Sequence, residues 1–262
     1  MSRPLILVSN DDGIRARGLR VLAEVAGEFG DVIVCAPTEE RSGFSHAISL
    51  RSSLRSEAAP EFGPDWYAVS GTPVDCVYLG ALHLCSRTPD LVVSGINPGY
   101  NLGSDVFYSG TVGAAREGLL RGCSGLAVSV EGDAAPELAV PFARVLIAKL
   151  LERRAVGERH LLNLNVPRSG APKGIHVTRL GHRRYEDQVD RREDLMGRSY
   201  FWIGGPPAPI DEQADADIGA VARGYAAVTP LEIDITAPDM PTWAGWLDGQ
   251  AARAHIDDPT QA

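Results

Sequence analysis

The sequence predicts an α/β protein: a Rossmann-like, doubly wound, mostly parallel sheet with a β-rich C-terminal extension. Three observations lead there. Short runs of consecutive apolar, β-branched residues recur over the first 167 positions, as in strands covered on both faces. Segments with apolar residues at helical spacing separate them, so strand and helix alternate. After Pro167 the chain turns charge-dense and then rich in aromatics and glycine.

LILVS (5–9) reads as the first strand, and Leu19, Leu22, Val25, Ala26 and Phe29 mark a helix ended by Gly30. DVIVCAP (31–37) is the second strand. Thr72-Pro73 is an N-cap followed by proline at the first helical position, with Val74, Val77, Tyr78, Ala81 and Leu82 on one face. DLVVSG (90–95) and GLAVSV (125–130) are strands on either side of a helix over 110–121 that Gly122 closes. A longer helix over 135–153 is built around Leu138, Phe142, Val145, Leu146 and Leu150, and HLLNLNVP (160–167) is the strand after it. GYAAVTPLEIDIT (224–236) alternates as a strand pair or hairpin arm. The predicted organisation is a core over 1–167, a smaller β-rich extension over 168–236 and a helix or tail over 237–262, where Trp243 and Trp246 suggest a packed pair.

A chain of 262 residues can bury a substantial core. Its net charge of −9 argues against non-specific binding to nucleic acid polymers or anionic membranes, which need a positive field. A small phosphorylated substrate stays open, because a metal ion can reverse the local sign. The four cysteines, Cys35, Cys76, Cys85 and Cys123, form no CxxC pair and read as buried thiols. With no signal-peptide core and no apolar run near the ~18 residues needed to span a bilayer, the expected location is cytoplasmic.

The chemistry starts in LVSNDDG, where Asp11 and Asp12 stand at the end of the first strand. Ligands of doubly wound sheets bind beyond the carboxyl ends of the strands. The two acids alone could be a helix cap and a solvated neighbour. Other strand ends add to them. CAPTEERSG (35–43) brings hydroxyl and carboxylate groups, VSGINPGYNLGSD (93–105) has more glycine and asparagine than a connector needs, and YSGTVGAAREG (108–118) puts Ser109, Gly110 and Thr111 at a helix start. Aspartate, serine and asparagine oxygens suit a hard divalent cation such as Mg²⁺ or Mn²⁺. A helix start offers main-chain N–H groups to an anion, and Gly110 lets that backbone approach closely. A cation site beside an anion cradle is the equipment of phosphate-ester hydrolysis.

These segments resemble the survival protein E (SurE) family of metal-dependent 5′-nucleotidases. The likeness runs over about residues 4–236 and rests on LVSNDDG, APTEERSGFSHAISL, SGTPVDCVYL, DLVVSGINPGYNLGSDVFYSGTVGAAREG, LNLNVP and GYAAVTPL. It implies one divalent ion per subunit held by Asp11, Asp12, Ser42 and Asn97, with the loop Gly95–Gly103 and the turn Ser109-Gly110-Thr111 lining the phosphate pocket. It implies hydrolysis of nucleoside monophosphates, with 3′-nucleotides and short polyphosphate as further substrates. It also implies an extension exchanged between subunits of a homodimer or homotetramer. Where the family usually shows a proline and a basic residue, this chain has Leu195 and Met196.

Asp11 and Asp12 are the candidate catalytic residues, one of which orients or deprotonates the attacking water. Asn101 either faces the phosphate or pins the glycine loop, and Asp105 orders that loop. His46 either reaches the phosphate or packs beside Ser45. Arg116 and Glu117 read as surface pairs, and Asp217 is at least as much a turn residue as a functional one. Two other readings compete. A catalytically silent nucleotide- or metal-binding regulator would lack a ligand, and none of the four is missing. A dinucleotide-dependent dehydrogenase fails at SNDDG, which has carboxylates where a pyrophosphate needs glycine amides.

Overall fold

The computed structural model describes residues 3–168, 172–183, 185–186, 188–205, 213–238 and 240–251. The first half runs β1 (Leu5–Ser9), α1 (Arg17–Gly27), β2 (Asp31–Pro37), β3 (Ser56–Ala58), β4 (Trp66–Val69), α2 (Pro73–Leu79), β5 (Leu91–Pro98) and α3 (Gly110–Leu120). It continues with β6 (Ser124–Val130), α4 (Val140–Ala155), β7 (Leu161–Val166), β8 (Ile175–Val177), β9 (Gln188–Glu193), β10 (Ser199–Gly204), α5 (Asp217–Ala222), β11 (Ala226–Leu231) and α6 (Met240–Ala251). The predicted strands and helices of the core are all present. The helix over 135–153 begins with a 3₁₀ turn at Pro136–Ala139, and α2 leads into a wider turn at Gly80–Leu84.

One sheet has the order β3-β4-β2-β1-β5-β6-β7-β11-β8. From β4 to β7 every neighbouring pair is parallel. The alternation of side chains along β1 explains why its run is apolar throughout. Ile6 and Val8 pack with Leu19 and Leu22 of α1 and Ile147 of α4, while Leu5 and Leu7 pack with Cys76 and Val77 of α2 and Ala114 of α3. All four cysteines are free and buried. Among the described residues no helix is long and apolar enough to cross a membrane.

The C-terminal half departs from expectation in one respect. Of the segment 224–236 only β11 forms, and it joins the main sheet antiparallel to β7 instead of pairing with a second arm. Ala226, Ala227 and Val228 are buried there, so the sheet gains more from the strand than a local hairpin could. The two strands β9 and β10 make a separate antiparallel hairpin. Residues Met1–Leu231 form one compact unit and Glu232–Ala262 another. Within the second unit, Trp243 and Trp246 meet edge to face with ring centroids 5.7 Å apart, as their spacing predicts.

Helix α3 lies close on the sheet because glycine faces it. A Cβ on Gly125 of β6 would stand 2.3 Å from the Ala115 carbonyl oxygen. Gly125→Ala is therefore expected to destabilise the fold by about 1–3 kcal/mol through overpacking, seen as a lower urea midpoint with unchanged slope. Gly27→Ala, with open space around the added methyl, should leave the midpoint level or raise it.

Candidate functional site

Strand β1 has β2 on one side and β5 on the other, and the crevice between β1 and β5 is where a doubly wound sheet binds ligands. The turn Asn10–Gly13 follows β1 directly, and Asn97 lies near the end of β5. A cavity of about 660 Å³ opens there, lined by Asp11, Asp12, Glu40, Ser42, Asn97 and Ser109. Tyr108, Asp105, Tyr185 and Ile203 line it too. Its volume is in the range of small-molecule sites. Asp11, Asp12, Ser42, Asn97, Asn101 and Ser109 all line it, whereas Gly110 and Thr111 do not.

The electrostatics of the acids are unusual. Burial, then repulsion from Asp11 and Glu40, pushes the Asp12 carboxyl up to about 7, and its Oδ2 is buried without a hydrogen-bond partner. Burial also raises Asp11, against the lowering effect of bonds from Thr111. Among the described residues no basic side chain figures in either shift. Glu40, which the sequence reading did not single out, accepts a 2.9 Å hydrogen bond from the Ser42 hydroxyl. Its clue was its place beside Ser42 in CAPTEERSG.

The donor chemistry of these residues fits a divalent cation. The Asn97 amide nitrogen donates to the Gly99 carbonyl at 2.7 Å, which leaves the amide oxygen as the end available for coordination. Among the described residues no three His, Cys, Asp or Glu side chains converge as a ligand group. A cation at this place would need the hydroxyl of Ser42 and the amide of Asn97 beside Asp11 and Asp12, an all-oxygen set suited to Mg²⁺ or Mn²⁺.

The expected phosphate turn divides in two. Ser109 is the N-cap of α3, its hydroxyl oxygen accepting from Val112 N–H at 3.1 Å, and that hydroxyl keeps a proton to donate into the cavity. Gly110 and Thr111 instead serve Asp11. Both the hydroxyl and the main-chain N–H of Thr111 donate to the Asp11 carboxylate. Gly110 is needed for that approach, since a Cβ there would stand 2.8 Å from the Asp11 Cβ. The positive end of α3 thus meets a carboxylate already buried within the protein. Sequence located the helix start but could not show that a side chain of the same chain occupies part of it.

Asn101 holds the glycine loop. Its N–H donates to Asn165 Oδ1 at 2.8 Å, its amide nitrogen to Ser129 Oγ at 2.8 Å, and its carbonyl accepts from Asn163 and Asn165. The pinning comes from side chains of β6 and β7, not from a turn within the loop. Asp217 does the same from α5: Oδ2 accepts from Gly103 N–H, and Oδ1 from Gly181 and Ile218 N–H, each at 2.8 Å. Asp105 binds Arg183 at 2.6 Å and the Tyr185 hydroxyl at 2.8 Å. His46 pairs with Glu117 at 2.9 Å. Glu117 is itself buried and lies 2.9 Å from Arg121, which corrects the surface pairing expected of it. The helical face that α3 turns to the sheet and to the 42–49 loop decides this, and the spacing of Arg116 and Glu117 could not.

The family model for survival protein SurE matches residues 6–187. A curated relative, the 5′-nucleotidase SurE of Moorella thermoacetica, is 44% identical over 238 residues, 88% of this chain and 91% of its own. The 5′/3′-nucleotidase SurE of Serratia proteamaculans is 47% identical over 235 residues, covering 88% and 91%. Among solved structures, the SurE protein of Aquifex aeolicus superposes with a TM-score of 0.78 at 35% identity, over 94% of this chain and all of that one.

The raised carboxyls make a pH prediction. An acid whose folded pKa lies above its unfolded value favours folding while protonated, and that contribution fades as pH rises through the folded value. Metal-free protein should lose stability between about pH 4 and pH 7, the span from the ordinary aspartate value to that of Asp12. Urea unfolding in chelator should show this fall, and Asp12→Asn should flatten it. Added Mn²⁺ should stabilise more at pH 8 than at pH 5, because protons compete for the same oxygens.

Proposed function

This chain belongs to the SurE family, and from that premise we propose that it is a metal-dependent nucleotidase. It hydrolyses nucleoside 5′-monophosphates, and 3′-monophosphates as well, to nucleoside and phosphate. The observation that carries the reading is the pair Asp11, buried, and Asp12, half-buried, with no basic partner among the described residues, beside the start of α3 in a cavity of nucleotide size.

In this reading Asp11, Asp12, Ser42 and Asn97 hold one Mg²⁺ or Mn²⁺. The ion, when bound, supplies Lewis-acid polarisation of the phosphoryl group and a lowered pKa for the attacking water. Ser109 donates its hydroxyl proton to a phosphoryl oxygen, and the Gly110 N–H at the helix start adds positive potential as negative charge grows in the transition state. Asp11 is fixed by Thr111 and acts as an anchor. Asp12, whose Oδ2 has no protein partner, is the carboxylate free to orient the attacking water. Asn101, held by Asn163, Asn165 and Ser129, keeps the Gly95–Gly103 loop at the height of the phosphate.

The quaternary reading follows from the hairpin. Strands β9 and β10 are exposed along their whole length, with Phe201, Trp202 and Ile203 open to solvent. An isolated two-stranded hairpin is marginal in water. We therefore place it against a second copy of the chain, in at least a homodimer working in the cytoplasm. Light scattering should give a mass of two subunits or more, and a single-subunit mass would count against this.

Phosphate release across nucleoside 5′- and 3′-monophosphates and short polyphosphate, with each metal and with chelator, tests the activity. Chelator should abolish turnover. Asp11→Asn should lose at least about a hundredfold, and Thr111→Val about 10–100-fold as the support of a ligand is removed. Near-wild-type turnover of Asp11→Asn with Mn²⁺ would sink the assigned role.

A further inference from the structure

The same cavity that Asp11 and Asp12 line is also lined by Tyr100, Asp105, Tyr108, Tyr185 and Ile203, so it offers aromatic surface as well as carboxylates. A nucleotide whose phosphate sits at Asp11 and Asp12 must put its sugar and base somewhere in the remaining volume.

The three tyrosines differ in how they are held. Tyr100 donates its hydroxyl to Glu131 Oε2 at 3.0 Å and packs with Leu102 and Ile218 in a small apolar cluster. That contact supports the glycine loop. Tyr108 is 69% exposed, and no described side-chain interaction restrains it. Tyr185 is 41% exposed, yet fastened on two sides. Its hydroxyl donates to Asp105 Oδ1 at 2.8 Å, and the Arg183 guanidinium carbon lies 5.5 Å from its ring centroid. Arg183 is in turn bonded to Asp105 Oδ2 at 2.6 Å, closing a three-residue bracket. Burial and the Asp105 bond push the Tyr185 phenol up to about 12, so it remains a donor at neutral pH.

We propose that Tyr185 is the platform on which the base of the nucleotide substrate stacks, with Asp105 and Arg183 as the residues that position it. The assignment rests on the nucleotidase reading and adds the nucleoside end to it. A ring held before the ligand arrives loses little freedom on binding, which favours Tyr185 over the unrestrained Tyr108. Any planar base offers a π face, so such a platform discriminates nucleotides from phosphate esters that lack a base, and hardly one base from another.

The test compares adenosine 5′-monophosphate with ribose 5-phosphate, the same ester without the base, in the metal-loaded full chain. Stacking on an aromatic is worth about 1–3 kcal/mol per base. Tyr185→Ala should therefore lower the ratio of kcat/KM for the nucleotide over the sugar phosphate by about tenfold, chiefly through KM. It should weaken equilibrium binding of adenosine by a similar factor. Tyr185→Phe, which keeps the ring and loses only the Asp105 bond, should retain most of the ratio. An unchanged ratio in Tyr185→Ala, an equal fall in Tyr185→Phe, or a loss seen only in Tyr108→Ala would each overturn the proposal. Wild-type protein that released phosphate from neither compound would fail the nucleotidase reading alone, and the adenosine titration would still decide for or against Tyr185.

Discussion

Carboxylates packed together, with no cationic side chain beside them among the described residues, are the constraint around which this structure is arranged. Asp11 and Asp12 follow one another at the end of a buried strand, with Glu40 close by. Water is withdrawn from Asp11 and in part from Asp12, and among the described residues no arginine or lysine takes its place. Like charges so placed repel, and the fold answers with the start of α3, brought in over Gly110 so that Thr111 can bind Asp11. That helix cannot sit there unless β5 and β6 leave room, which is why Gly125 faces Ala115. The sheet order, the small residues and the helix position are thus one solution to one electrostatic problem.

The core was legible because a doubly covered parallel strand has little choice of residues. LILVS and GLAVSV read as strands at sight, and the order of strands and helices then placed Asp11 and Asp12 on the ligand edge. The short β3 and β4 escaped notice, since Ser56–Ala58 carries no apolar run and WYAV is brief. The strand in 224–236 was visible as β structure, but its partner was not. Whether Ala226–Leu231 pairs locally or with β7 depends on contacts sixty residues away.

Within the site, sequence found residues better than roles. A candidate ligand set could be proposed from strand ends and family likeness together, and its four members, Asp11, Asp12, Ser42 and Asn97, line one cavity. That Thr111 faces Asp11 and not the open cavity required coordinates, since a helix start can meet an internal acid as well as an anion from outside. Asn163 and Asn165 lay in plain view in LNLNVP. Two asparagines at alternate positions of a buried strand must find partners, because a buried amide left unpaired costs about 1–3 kcal/mol. That alternation was the available signal for the bonds they make to the Asn101 carbonyl.

Asp217 has one further consequence. It gathers Gly103 and Gly181, two backbones already in close contact, through main-chain N–H groups alone. Peptide nitrogens carry no residue identity, so the frame can stay fixed while the side chains hung on it diverge. Descendants of such an ancestor could exchange one clientele of phosphate esters for another by altering a few rim positions, with no need to reinvent the scaffold.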